Sequence, residues 1–366
     1  MVKKFQDYIK ESNSDELAYY ALDWDDNILH MPTKILMDKK VGDEWEPIAV
    51  STAEFATVRN DKENWRLRDN DPTKAFSEFR DFGSRGDNAF IEDAKAAISA
   101  GETGPSWDAF IKCLVDGSIF AIITARGHEP QSMKKGVEWI IDNVLTKDEQ
   151  YSLYNNCLKH AYIFNNNNEY DRIPKGTLSQ TPLVQDYLNS CDYYGVSSDS
   201  FAKEFGAASA SNPEKAKEMA LDVFIEKCKK YGESVGAPVS VGFSDDDPKN
   251  VEHVHTYFKE KSALSNDLKL NLYKTTDRTK KGGERKRFLP GQEHPETFEN
   301  NQGVNFDGLQ SRVLPFNKWN NITQNLLQTS KDAPTDPYHN QFKNQVKSAT
   351  EMTKQFAYKR KNKRSK

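Results

Sequence analysis

The stretch YYALDWDDNILHMPTK, residues 19–34, decides the reading of this chain. An apolar run ends in Asp23, Trp24, Asp25, Asp26 and Asn27, then turns apolar again. Carboxylates packed this closely repel one another, and burying one without a partner is costly. The segment is therefore either a solvated turn, which Asp and Asn favour, or a place where something positive is held. A calcium loop of the EF-hand type is excluded. Ile28 stands where that loop needs glycine, and Lys34 where it needs a bidentate glutamate.

Outward from this point the chain alternates strand and helix. Residues 17–24, LAYYALDW, read as a buried strand. TKILMDKKVGDEWEPIAVS reads as a hairpin, and residues 72–115 as mostly helical, stopping at Asp116-Gly117. SIFAIITARG is a short apolar strand, and EPQSMKKGVEWIIDNVL an amphipathic helix. KHAYIFNNNN suggests a further strand, followed by a polar excursion to about residue 211. NPEKAKEMALDVFIEKCKKYGES is a helix with Pro213 in its first turn and Leu221, Phe224, Ile225 and Cys228 on one face. APVSVGFSDDDPKNVEHVHTYFKEK repeats the rhythm of strand, acidic turn and helix, and LKLNLYKTT closes the sheet. This is the pattern of a parallel α/β sheet.

A second acidic cluster, Asp245, Asp246 and Asp247, follows the strand PVSVGF. Parallel sheets place their sites beyond the carboxyl ends of strands. Two carboxylate clusters there can share a hard divalent cation, Mg²⁺ being the expected one, and the cation would resolve the repulsion. It would also keep an aspartate ionised as a nucleophile toward phosphorus.

Three segments together resemble the haloacid dehalogenase superfamily. Asp-x-Asp-x-Asn-Ile-Leu at residues 23–29 resembles its motif I, FAIITARG its motif II ending in Thr124, and VGFSDDDPKNV its motif IV, all in the family's order. The resemblance spans roughly residues 15–275 and implies a Rossmann-like, three-layer parallel sheet. It implies a Mg²⁺-dependent phosphatase working through an aspartyl-phosphate. Asp23 takes the nucleophile's position, and Asp25 that of the group that protonates the leaving group and then activates water. The backbone carbonyl of Asp25 takes the place of a metal ligand beside Asp23. Thr124 would hydrogen-bond a phosphoryl oxygen. Asp245 and Asp246 would complete the metal site, with Asp247 an alternative second ligand or simply a helix cap. The motif III lysine is expected at Lys217, because Ala220, Leu221, Phe224 and Ile225 then share its sheet-facing side; Lys215 is the alternative. Asp26 and Asn27 depart from the family's usual Gly and Thr or Val. Arg126 and His128 are either substrate contacts or surface residues. Residues 30–117 are expected as a flap or cap insertion and residues 165–211 as a second insertion.

The chain of 366 residues carries a formal net charge of −4. Residues 354–366 hold seven basic and no acidic residues, so without them the net charge is −11. That tail and DRTKKGGERKR are expected either to be solvated or to contact nucleic-acid phosphates. Residues 276–366 read as an extended arm, with a helix over 338–358 (Phe342, Val346, Ala349, Met352, Phe356) for a protein partner or the body. Cys113, Cys157, Cys191 and Cys228 have neither disulfide-framework nor zinc spacing. With a charged amino-terminal stretch and no long apolar run, a cytoplasmic location without membrane contact is expected. The expected substrate is a nucleotide, a nucleic-acid end or a small phosphate ester. The rival function is a non-catalytic scaffold attached through the arm.

Overall fold

A computed structural model describes residues 17–81, 85–160, 170–206, 212–235, 237–260, 268–276, 284–288 and 296–298. The chain opens with β1 (Leu17–Leu22), the hairpin β2 (Ile35–Val41) and β3 (Glu44–Val50), α1 (Thr52–Val58), β4 (Trp65–Leu67) and the single turn α2 (Pro72–Ala75). Then come α3 (Ala89–Ser99), α4 (Trp107–Asp116), β5 (Phe120–Thr124), α5 (Pro130–Asn143), α6 (Lys147–His160) and α7 (Pro182–Ser190). The last part holds β6 (Asp192–Gly195), α8 (Asp199–Phe205), α9 (Pro213–Val235), β7 (Val239–Asp245), α10 (Pro248–Glu260), β8 (Leu268–Lys274), β9 (Glu284–Phe288) and β10 (Glu296–Phe298). None of the described helices is long and apolar enough to cross a membrane.

The protein is α/β, and among the described residues its main sheet runs β10-β9-β8-β7-β1-β5-β6. The pairs from β8 through β6 are parallel; β9 and β10 are antiparallel additions at one edge. Every residue of β1, β5 and β7 is buried, which is why these strands read as continuous apolar runs. From β1 the chain steps to β5 and β6 on one side, then returns to β7 and β8 on the other. The carboxyl end of β1 thus lies at a topological switch point.

The two faces of the sheet carry separate cores. Tyr20, Leu22, Phe120 and Ile122 pack with α3 to α7, through residues such as Phe90, Phe110, Val137 and Leu188. Leu17, Tyr19, Ala21, Val239, Val241 and Phe243 pack with α9 and α10, through Ala220, Phe224 and Val254. Side chains alternate along a strand, so the series 17, 19, 21 carries Asp23 to the α9 face, and 239, 241, 243 carries Asp245 there too.

The structure redraws four expectations. The cap expected over 30–117 divides: β2, β3, β4 and α1 form a small unit around Ile35, Met37, Val50 and Phe79, whereas α3 and α4 belong to the main core. The second insertion, 165–211, contains β6, a strand of the main sheet. Lys159 and His160 end α6 instead of starting a strand, and residues 161–169 lie outside the described residues. The sheet does not close at β8, since β9 and β10 come from the stretch read as an arm. The expected helix over 338–358 and the basic tail lie outside the described residues.

Gly242 shows how tightly β7 is packed. A Cβ there would overlap Tyr20 Cε1 on the adjacent strand. Gly242→Ala is expected to lower stability by about 1–3 kcal/mol through overpacking. Adding Tyr20→Leu should recover part of the loss in thermal melts. Independent, additive losses would refute the contact as the cause.

Candidate functional site

The acidic ends of β1 and β7 meet, as the strand pairing requires. Leu22 pairs with Ser244, and the Asp23 N–H donates to the Ser244 carbonyl at 2.9 Å, which sets Asp23 beside Asp245. Both carboxylates are buried. α9 brings Lys217 against them: its ammonium donates to Asp23 Oδ1 at 2.9 Å and to Asp245 Oδ2 at 2.7 Å. Lys217 is itself buried, because Ala220, Leu221, Phe224 and Ile225 seat its helix on the sheet. Burial alone would lower the Lys217 pKa, but Asp23 and Asp245 outweigh it and hold the ammonium charged. Lys215 is exposed, its backbone N–H bonded to Asn212 in the first turn of α9, and it is not part of this centre.

Asp246 completes a group with Asp23 and Asp245 in which one ligand oxygen from each lies within 4.8 Å of the others. Burial pushes the Asp23 carboxyl well above the usual carboxylate range, and Asp245 and Asp25 add to this against the pull of Lys217. Burial likewise raises Asp246, helped by Asp245 and Asp23. Three carboxylates facing one ammonium are short of positive charge. Three carboxylate oxygens this close could together hold a metal ion, and an all-oxygen set suits a hard one. Asp245 is braced by the N–H of Asp247 at 3.0 Å and by the Asn250 amide at 3.0 Å and 3.1 Å. Asp247 is not one of the three. It caps α10 through the Lys249 N–H at 2.9 Å and accepts from Arg59 at 3.0 Å.

Asp25 points elsewhere. Arg126 grips its carboxylate with two bonds, Nε to Oδ2 at 2.8 Å and Nη2 to Oδ1 at 2.7 Å, and the Thr124 hydroxyl lies 3.3 Å from Oδ2. Arg126 is buried, with its guanidinium 4.6 Å from the Phe79 ring centre and donating to Thr33 at 2.7 Å. This rules out the surface alternative for Arg126 and makes it the holder of Asp25. His128 is also buried, packed edge-on against Phe90, with neither ring nitrogen hydrogen-bonded. Burial, then the charges of Arg126, Arg85 and Arg80, push it down to about 2, so it is neutral.

Asp26 adopts φ 54°, a left-handed conformation that glycine would take without strain. Its carboxylate is held by the Thr52 hydroxyl and by His30 Nδ1 at 2.7 Å. With the Arg59–Asp247 pair, this gives the small β unit one contact on each acidic loop. Sequence reasoning missed these contacts, the role of Arg126, and a polar cluster around Asn27. Comparison with family models, with curated proteins and with solved structures returned no match for this chain.

Proposed function

We propose that this protein is a haloacid-dehalogenase-type phosphatase that hydrolyses a phosphate monoester through an aspartyl-phosphate on Asp23. The observation that carries the reading is the convergence of Asp23, Asp245, Asp246 and Lys217 at the carboxyl ends of β1 and β7, with Asp25 and Thr124 adjoining. Asp23, Asp245 and Asp246 would hold Mg²⁺, with the Asp25 carbonyl as a further ligand; when bound, the ion neutralises the clustered charge of carboxylates and phosphate.

The remaining chemistry falls to the protein's own groups. Asp23 attacks phosphorus with a carboxylate oxygen. Asp25 gives its proton to the leaving oxygen and later takes one from water. Arg126 holds both Asp25 oxygens, so taking up a proton would release one of the two bonds while the other still tethers the carboxyl. The Thr124 hydroxyl and the Lys217 ammonium donate to phosphoryl oxygens as charge shifts in the transition state. The four free cysteines, all buried, fit a reducing cytoplasm.

A panel of nucleotides, phosphorylated nucleic-acid ends and small phosphate esters, assayed with Mg²⁺ and with EDTA, tests the reading. Release of inorganic phosphate from at least one class is expected, and chelation should abolish it. No release from any member would move the weight to a non-catalytic, metal-binding scaffold.

A further inference from the structure

Asn27 is fully buried, and its amide is saturated with partners. Nδ2 lies 3.0 Å from the Asp23 carbonyl oxygen, 3.2 Å from the Ser244 carbonyl oxygen and 2.9 Å from Ser244 Oγ. Oδ1 accepts from the hydroxyls of Ser106 and Thr275, each at 2.8 Å. Carbonyls only accept, so the two backbone partners fix which way the amide faces. Thr275 also donates its backbone N–H to the Asp245 carbonyl at 3.0 Å, and the Thr276 hydroxyl donates to the Asp246 carbonyl at 2.8 Å. One side chain and one threonine thus tie together the backbones of Asp23, Ser244 and Asp245, drawn from two segments far apart in the chain.

These contacts bear on the main-chain atoms of the residues whose carboxylates must stay close despite repulsion. We infer that Asn27 and Thr275 are positioning residues of the acidic centre, setting the spacing of the β1 and β7 ends and hence the aperture offered to a cation. The inference rests on the reading that this centre binds a divalent metal. Asn27 acts through the backbone oxygens of Asp23 and Ser244, and the Thr275 hydroxyl acts through the Asn27 amide oxygen that it holds. Loss of such outer partners of metal ligands typically weakens metal affinity 10–100-fold.

The test uses the full chain and Mn²⁺, an oxygen-seeking probe whose free concentration is read by electron paramagnetic resonance. Wild type is compared with Thr275→Val, Thr275→Ser and Asn27→Ala, and thermal melts are recorded without metal. Thr275→Val keeps the shape and loses the hydroxyl, so about 10-fold weaker Mn²⁺ binding is expected. Thr275→Ser restores the hydroxyl and should bind within about twofold of wild type. Asn27→Ala should bind more weakly still; the threonine pair decides the matter should that variant not fold. A lower melting temperature with unchanged Mn²⁺ affinity in Thr275→Val overturns the positioning role and leaves the metal reading standing. Failure of wild type to bind Mn²⁺ overturns both.

Discussion

Asp23→Asn is expected to abolish phosphate release, lowering kcat by about 10⁴-fold or more, while the metal-free protein melts no lower than the parent. The kinetic half follows from the nucleophile's role proposed for Asp23. An amide cannot serve as the attacking carboxylate, and removal of a covalent nucleophile is among the largest single losses an enzyme can suffer. The stability half follows from the surroundings. Burial raises the Asp23 carboxyl, and Asp245 and Asp25 add to it, so ionised Asp23 is held at a cost that Lys217 offsets in part. The substitution removes one repelling charge and leaves Lys217 still bonded to Asp245 at 2.7 Å. Mn²⁺ or Mg²⁺ should raise the melting temperature of wild type more than that of the variant. Turnover equal to wild type would remove Asp23 as the nucleophile. A melting temperature several degrees lower would show that its charge contributes net stability in the metal-free protein.

Lys217→Met should be the most destabilising single change in the centre. Methionine fills similar volume but leaves Asp23 and Asp245 buried without their cation. Breaking a buried ion pair from one side costs about 3–5 kcal/mol. Chemical denaturation without metal should show a loss of that order, and saturating Mg²⁺ should recover part of it by supplying positive charge. A loss below about 1 kcal/mol would mean the carboxylates take up protons readily when Lys217 is gone. The pH dependence has a definite sign. The folded Lys217 pKa lies above the ordinary 10.5 because Asp23 and Asp245 outweigh desolvation. On the lysine side the contribution is therefore complete below pH ~10.5 and is lost only as pH rises through the higher folded value. Denaturation between pH 7 and 9 should show the gap between wild type and variant unchanged by loss of the lysine proton.

The acidic strand ends were legible because two chemistries meet there. A fully buried parallel strand writes itself as an apolar run, and carboxylates beginning where the run stops are conspicuous. The seat of Lys217 was legible for the same reason, since Ala220, Leu221, Phe224 and Ile225 mark the sheet-facing side of its helix. Arg126 was not, because a lone arginine reads as surface until Asp25, a hundred positions earlier, is known to face it. β6 was hidden by its length and by the polar residues around it: DYYG has four residues and no long apolar run. β9 is charged at four of five positions, ERKRF, and is a strand because β8 offers it an edge, not because its residues favour one. The division of residues 30–117 was equally out of reach. Amphipathic α3 and α4 declare that they have an apolar side, but their sequence does not say which layer receives it.

The alternation along β1 has a consequence for how this chain can vary. Leucine, tyrosine and alanine at positions 17, 19 and 21 fill space and can be exchanged for other apolar residues of similar volume at modest cost. Inserting or deleting a single residue between Tyr19 and Asp23 is another matter. A deletion would swing Trp24 into the place beside Lys217, an insertion would put Leu22 there, and either would turn the leading aspartate toward the aromatic layer around Phe90 and Phe110. The strand tolerates rewriting far better than any change in its length.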